Sequence, residues 1–211
     1  SNMNLTEIPS ELKSMNHIEC LILDNNKLKK LENLPYNLKT LSVSHNQLEI
    51  LENLPFMLNV LKADFNSLEQ VSLGHMEYMT LLSLNHNELH SLTVPESLSV
   101  LMVGNNKLQQ IPQCERLISL NAAYNELVKI ELHNGIIELD MSGNPISDLL
   151  NIPHSLKTLI CHETGLDNYL NIDPRVMLIN TEGLNEDVEL DLLDEYVIKI
   201  QRNAKRMIEV R

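Results

Sequence analysis

Two short fragments carry residue types that could do chemistry. HNELH, from His86 to His90, spaces two histidines four apart, which on a helix would aim both imidazoles at one zinc ion. CHETG sets His162 beside Glu163, an acid–base pair with nothing nearby that reads as a nucleophile. The three cysteines, Cys20, Cys114 and Cys161, are an odd number with no close pair, so they read as reduced thiols in a reducing compartment. On that reading the single NLT sequon, at Asn4, goes unglycosylated. A Gly-x-Gly-x-x-Gly turn, a Walker loop, a CxxC, an HExxH and a nucleophile elbow are all missing from the sequence. What the two fragments can do therefore depends on the elements that hold them.

Those elements repeat. The pentapeptide LENLP occurs at residues 31–35 and again at 51–55. An asparagine ladder runs through Asn26, Asn46, Asn66, Asn87, Asn106, Asn125 and Asn144, at spacings of 20, 20, 21, 19, 19 and 19, with Thr164 in an eighth unit. Around each rung the pattern is LxxLxLxxNxL, as in LKTLSVSHNQL and LISLNAAYNEL. Apolar residues at positions 4 and 6 alternate with variable ones at 5 and 7, the period of a strand with one buried face. Units of this size cannot bury a core alone and must stack. The asparagine amide has two donors and an acceptor to satisfy backbone groups in a buried turn. Threonine can do only part of that, so the eighth turn is expected to be looser.

The second half of each unit supplies another apolar pair and usually a proline, as in LEILENLP and LQQIP. Proline fixes φ and donates no hydrogen bond, which suits an extended return segment on a thin convex wall. HNELH then straddles a strand-to-turn segment in which its two histidines diverge, and no metal ligand set or cofactor is expected. The ends depart from the pattern. Residues 1–17 read as a tag remnant, SNM, and an N-terminal cap with a short helix capped by Ser10; 18–181 form the solenoid, with VMLINT as a possible ninth strand. Residues 182–211 read as an amphipathic helix capped by Asn185, with Val188, Leu192, Tyr196 and Ile200 on its apolar stripe. It is expected to shield the last repeat, with a dimer seam or the start of a further domain as alternatives.

The pattern resembles the leucine-rich repeat superfamily. LPYNLKTLSVSHNQL in particular resembles the short repeat of bacterial effectors of the YopM and IpaH type, over roughly residues 5–181, although Ala63, Ala122, Met141 and Cys161 replace the usual valine. The resemblance implies an α/β repeat solenoid, curved, with a parallel concave β-sheet and extended convex segments. It also implies a protein-binding module delivered into a host cell without a cleaved signal peptide, from the bacterial cytoplasm. Ligases of the IpaH type carry a catalytic Cys-x-Asp in a separate domain. Here the cysteines begin CLI, CER and CHE, so this chain is expected to be no enzyme by itself. Two alternatives are the substrate-recognition half of a larger, ubiquitin-ligase-like effector and a bacterial cytosolic scaffold.

The informative positions are those the solenoid exposes: 3, 5, 7 and 8. Position 8 reads Asn25, His45, Phe65, His86, Asn105, Tyr124, Gly143 and Glu163, on rungs about 4.8 Å apart. His45, Phe65, His86 and Tyr124, with Lys62, Asp64, Met102 and Asn105 beside them, are expected to form an aromatic anchor patch for a protein partner; the other reading is a self-packed cluster around Phe65. Glu138, Asp140, His162 and Glu163 are expected to make an acidic zone at the far end of the same face. A formal charge of −13 and a pI near 5.0 argue against nucleic acid or an anionic membrane as partner, and a monomer is expected.

Overall fold

The computed structural model describes residues 3–147, 149, 152–166 and 175–179. Among them are eleven strands of three residues each: β1 (Cys20–Ile22), β2 (Thr40–Ser42), β3 (Val60–Lys62), β4 (Gln70–Ser72), β5 (Leu81–Ser83), β6 (Ser91–Thr93), β7 (Val100–Met102), β8 (Ser119–Asn121), β9 (Glu138–Asp140), β10 (Thr158–Ile160) and β11 (Met177–Ile179). Nine form one parallel sheet in the order β1-β2-β3-β5-β7-β8-β9-β10-β11. Its register follows the repeat: Leu21 pairs with Leu41, Leu41 with Leu61, Leu61 with Leu82, and so on to Leu178. The ninth strand expected from VMLINT is β11. The expected C-terminal helix lies outside the described residues.

The core is the stack of the motif's own apolar positions. Leu38, Leu41, Leu48, Leu58, Leu61 and Leu68 are wholly buried, and equivalent residues continue through Leu139 and Leu159. Each such leucine contributes about 1.5–3 kcal/mol over an exposed one. All five Phe and Tyr residues within the described part are exposed, by 40 to 60%. A slot one rung thick is filled by leucine-sized side chains, and the rings are left outside.

The asparagine ladder holds the turns. Nδ2 of Asn66 donates to its own Ala63 carbonyl at 3.1 Å and to the Val43 carbonyl of the preceding unit at 3.1 Å; its Oδ1 accepts from Leu48 N at 3.0 Å. The same three bonds recur at Asn46, Asn87, Asn106, Asn125 and Asn144. Asn26 reaches the N-terminal segment instead, accepting from Leu5 N at 3.0 Å, so Leu5 closes a partial repeat. Thr164 donates its one hydroxyl proton to its own Cys161 carbonyl at 2.8 Å and has no second donor for the unit before it.

One expectation needs correction and another gains a detail. Ser10 is the first residue of a 3-10 helix (Ser10–Ser14) that no side chain caps; its hydroxyl lies 3.4 Å from Glu11 Oε2, because Pro9 occupies the capping position. The convex wall is extended as expected, and at one place it also ladders: β4 and β6 pair there as a small parallel sheet. Residues 69–79 have no proline, so Gln70–Ser72 keeps every N–H and can ladder.

Asn66→Ala orphans the Leu48 N–H and leaves the Val43 and Ala63 carbonyls with one asparagine donor each, from Asn46 and Asn87, and should lower unfolding free energy by about 1–3 kcal/mol in denaturant titration. Thr164→Asn supplies the missing second donor and should be neutral or gain up to about 1 kcal/mol.

Candidate functional site

The surface that borders the sheet is set by a backbone constraint that the letters alone did not show. Position 8 is left-handed in every unit: φ is 59° at Asn25, 55° at His45, 53° at Phe65, 53° at His86, 56° at Asn105, 52° at Tyr124, 60° at Gly143 and 52° at Glu163. This kink lets the chain leave the strand so that the next residue, the ladder asparagine, points inward. Asparagine and glycine tolerate it; for other L-residues the left-handed region costs about 1–2 kcal/mol. The backbone therefore constrains position 8, although it is exposed. Asn25, Asn105 and Gly143 suit the backbone, whereas His45, Phe65, His86, Tyr124 and Glu163 sit there against it.

The strained aromatic residues stack. His45 and Phe65 lie 4.2 Å apart between centroids at an interplanar angle of 10°, and Phe65 and His86 lie 4.1 Å apart at 11°. Asn105 continues the column, with Nδ2 3.5 Å from His86 Nε2. The imidazoles cover both faces of Phe65, leaving its edge outward and the residue 43% exposed. Burial holds the His86 pKa below the ordinary histidine value; Asp64 opposes that shift and His45 adds to it.

Tyr124 does not join this column. Its ring lies across Gly143, where an added Cβ would clash with the ring, and its hydroxyl reaches two rungs on, to 3.0 Å from His162 Nε2. Glycine at position 8 of the seventh unit makes that reach possible. The single patch expected from the sequence is thus two: a His45–Phe65–His86–Asn105 column and a separate Tyr124–His162 pair.

Three further expected site residues are not on an open face. Met102 is 6% exposed and packs with Leu81, Val100 and Ile160, while Ser83 Oγ lies 3.6 Å from its sulfur. Asp140 is 3% exposed; its Oδ1 accepts from Ser142 N at 3.1 Å and Ser142 Oγ at 2.8 Å, and its Oδ2 from Asn121 Nδ2 at 3.1 Å. Burial raises its pKa, against the pull of the Ser142 hydrogen bonds and of His162. His162 is 1% exposed. The acidic zone contracts to half-buried Glu138 and exposed Glu163.

Position 7 also has a structural duty. Oδ1 of Asp64 accepts from Ser83 Oγ at 2.6 Å and from Asn85 N at 2.7 Å. Asp24 does the same for Ser42 and Ser44, and Asn85 Oδ1 accepts from Gly104 N at 2.7 Å. This is a second polar ladder, in which each side chain holds the strand end of the next unit. Lys62, half-buried, is the one cation beside the column on position 5.

His86 and His90 diverge: the first is in the ring column, and the second has Nε2 3.2 Å from Gln70 Nε2 beside β4. Among the described residues no group of three or more His, Cys, Asp or Glu is placed to hold a metal, and no helix is long and apolar enough to cross a membrane. Cys20 is an exposed free thiol; Cys114 is a buried one whose pKa is raised by burial. Sequence reasoning missed the three remaining exposed aromatics, Tyr36, Phe56 and Tyr78, which meet along the opposite edge of the sheet. Their signal was present, since Tyr36 and Phe56 each follow the proline of an LENLP.

No protein-family model and no curated protein matches the sequence. Solved structures do. The leucine-rich repeat domain of a Shigella effector matches at 26% identity and TM-score 0.67, over 81% of this chain and 86% of that one. YopM from Yersinia enterocolitica matches at 21% identity and TM-score 0.60, over 80% of this chain and 47% of that one. A leucine-rich repeat protein of Leptospira interrogans matches at 22% identity and TM-score 0.70, over 82% and 51%. The chain thus spans about half the length of the last two. Its fold is the leucine-rich repeat solenoid, and it is similar to repeat proteins that include bacterial effectors.

Two outcomes follow from this geometry. Gly143→Ala should destabilise the protein by more than the roughly 1–2 kcal/mol of a left-handed alanine, because its Cβ meets the Tyr124 ring; in a Tyr124→Ala background only the backbone cost should remain, which a double-mutant cycle of denaturant titrations reads directly. For His86 the folded pKa lies below the unfolded one. Its contribution is therefore complete above the unfolded value of about 6.5 and is lost as pH falls below it. Thermal melts between neutral and mildly acid pH should show a steeper loss for the wild type than for His86→Asn.

Proposed function

We propose that this leucine-rich repeat protein is the recognition region of a bacterial effector, made in the bacterial cytoplasm and delivered into a host cell, where it binds a host protein. That the fold serves as a protein-interaction module is supported by its structural neighbours, which are repeat proteins with effectors among them. The observation that carries the finer reading is the His45–Phe65–His86 column. Three rings in successive left-handed positions cost the fold about 1–2 kcal/mol each where asparagine would cost little. Strain retained at an exposed edge beside the concave face marks those side chains as selected for what they touch. Stacked aromatics with a free edge have the composition of an interface anchor. Lys62 beside them and Glu138 and Glu163 farther along supply charges for orienting a partner.

The test is an affinity pull-down from eukaryotic lysate with wild-type protein and a His45→Asn, Phe65→Asn variant as baits. Asparagine suits the left-handed backbone, so the variant should stay folded with a melting temperature near wild type. A host protein retained by the wild type and lost by the variant is the expected outcome. Identical retention by both baits would remove the ring column from the binding site.

A further inference from the structure

The opposite edge of the sheet, where the chain turns into each strand, carries its own surface. Each of these turns is closed by a backbone bond across four residues: Leu58 N donates to Pro55 O at 3.1 Å, Met79 N to Met76 O at 2.9 Å, Leu98 N to Pro95 O at 3.2 Å and Leu117 N to Cys114 O at 3.2 Å. The two residues at each tip therefore point away from the core: Phe56 and Met57, Glu77 and Tyr78, Glu96 and Ser97, Glu115 and Arg116. The turn after Pro35 presents Tyr36 and Asn37 in the same place. Beneath the tips, the Asn59 carbonyl accepts from both Thr80 N and Leu81 N, and the Thr80 carbonyl from Ser99 N and Val100 N, so the edge is a rigid rail.

Along that rail the chemistry changes in order. Tyr36 and Phe56 are 5.3 Å apart between centroids at 57°, and Phe56 and Tyr78 are 6.3 Å apart at 66°. The three are 60, 46 and 52% exposed, with ring faces tilted outward rather than stacked shut. Glu77, Glu96 and Glu115 follow on consecutive turns, all exposed. Among the described residues none of the three is in an ion pair. Glu77 and Glu96 line, with Arg116 and Pro95, a shallow depression of about 510 Å³. Arg116 is the one cation among the tips of these turns, against three carboxylates.

We propose that this edge docks an extended basic segment of a partner protein, with side chains packed over Tyr36, Phe56 and Tyr78 and Lys or Arg residues on Glu77, Glu96 and Glu115. Alternate residues of an extended chain recur at about 6.4–6.8 Å, near the 6.3 Å between Phe56 and Tyr78 and longer than the 5.3 Å between Tyr36 and Phe56, so long flexible Arg or Lys side chains on one face of such a segment reach successive turns. Exposed ring faces attract guanidinium and ammonium groups, and the carboxylates extend that preference along the rail. The net charge of −13 favours the encounter. Acidic peptides and anionic lipid or nucleic-acid phosphates are disfavoured by the same carboxylates. This surface is separate from the His45–Phe65–His86 column, so either can fail without the other.

The probe is a fluorescein-labelled peptide of about ten alternating Arg and Ser residues, about two for each of the five turns, with an alternating Glu and Ser peptide as its counterpart. Fluorescence anisotropy should show binding of the basic peptide only, weakening as salt is raised. Phe56→Ser with Tyr78→Ser should weaken it by about tenfold, as expected for two lost cation–ring contacts. Glu77→Gln with Glu96→Gln and Glu115→Gln should weaken it and flatten the salt dependence, while Phe65→Asn should leave it unchanged. If the Ser variant melts early, Phe56→Leu with Tyr78→Leu keeps the bulk and removes the ring faces. Hydrogen exchange should slow at residues 56–57 and 77–78 on binding. Wild-type affinity in the ring variants would overturn the proposal, since attraction would then be no more than the general charge of the molecule; equal binding of the acidic peptide would also overturn it, since binding would then owe nothing to the carboxylates.

Discussion

The buried turn amide is the constraint on which this structure rests. A chain that leaves a three-residue strand and dives back under its neighbour abandons N–H and C=O groups where water cannot reach them. In the first seven units one asparagine meets the demand, joining its own turn to the segment before it, and in the eighth Thr164 meets part of it. For the amide to point inward, the residue before it must turn left-handed. The hydrogen-bonding need of one buried side chain thus dictates the conformation of the exposed side chain next to it, and ties the core to the surface through two adjacent residues.

The slot between rungs decides where the aromatics go. Strand spacing near 4.8 Å and units of 19 to 21 residues leave room for leucine-sized side chains. The rings are placed on the two edges instead, where rung spacing controls how they meet. At position 8, consecutive rungs bring His45, Phe65 and His86 into parallel stacks. At the opposite edge the turns hold Tyr36, Phe56 and Tyr78 tilted, with their faces open. One repeat therefore produces a closed column on one side and an open ladder on the other.

Polar residues on the concave side divide in the same way. Asp24, Asp64 and Asn85 look like surface acids and amides by composition, yet each holds the backbone of the next strand end. Asp140 turns fully inward onto Ser142 and Asn121. The charge left for recognition on the concave side is therefore smaller than the sequence count suggests, and includes Lys62, Glu138 and Glu163.

The sequence by itself determined the fold class, the register and the asparagine ladder, because a period of about 20 residues with apolar positions at 4, 6 and 11 has one economical way to bury them. It also placed His45, Phe65 and His86 on neighbouring rungs, and it foretold β11 from VMLINT. Only the tertiary structure decided which way those side chains point. The left-handed φ at position 8, the reach of Tyr124 over Gly143, and the burial of Met102, Asp140 and His162 depend on distances between units that no single repeat encodes. A repeat specifies which residues are neighbours, whereas the direction and accessibility of each side chain are settled by the hydrogen bonds and packing available once the units are stacked.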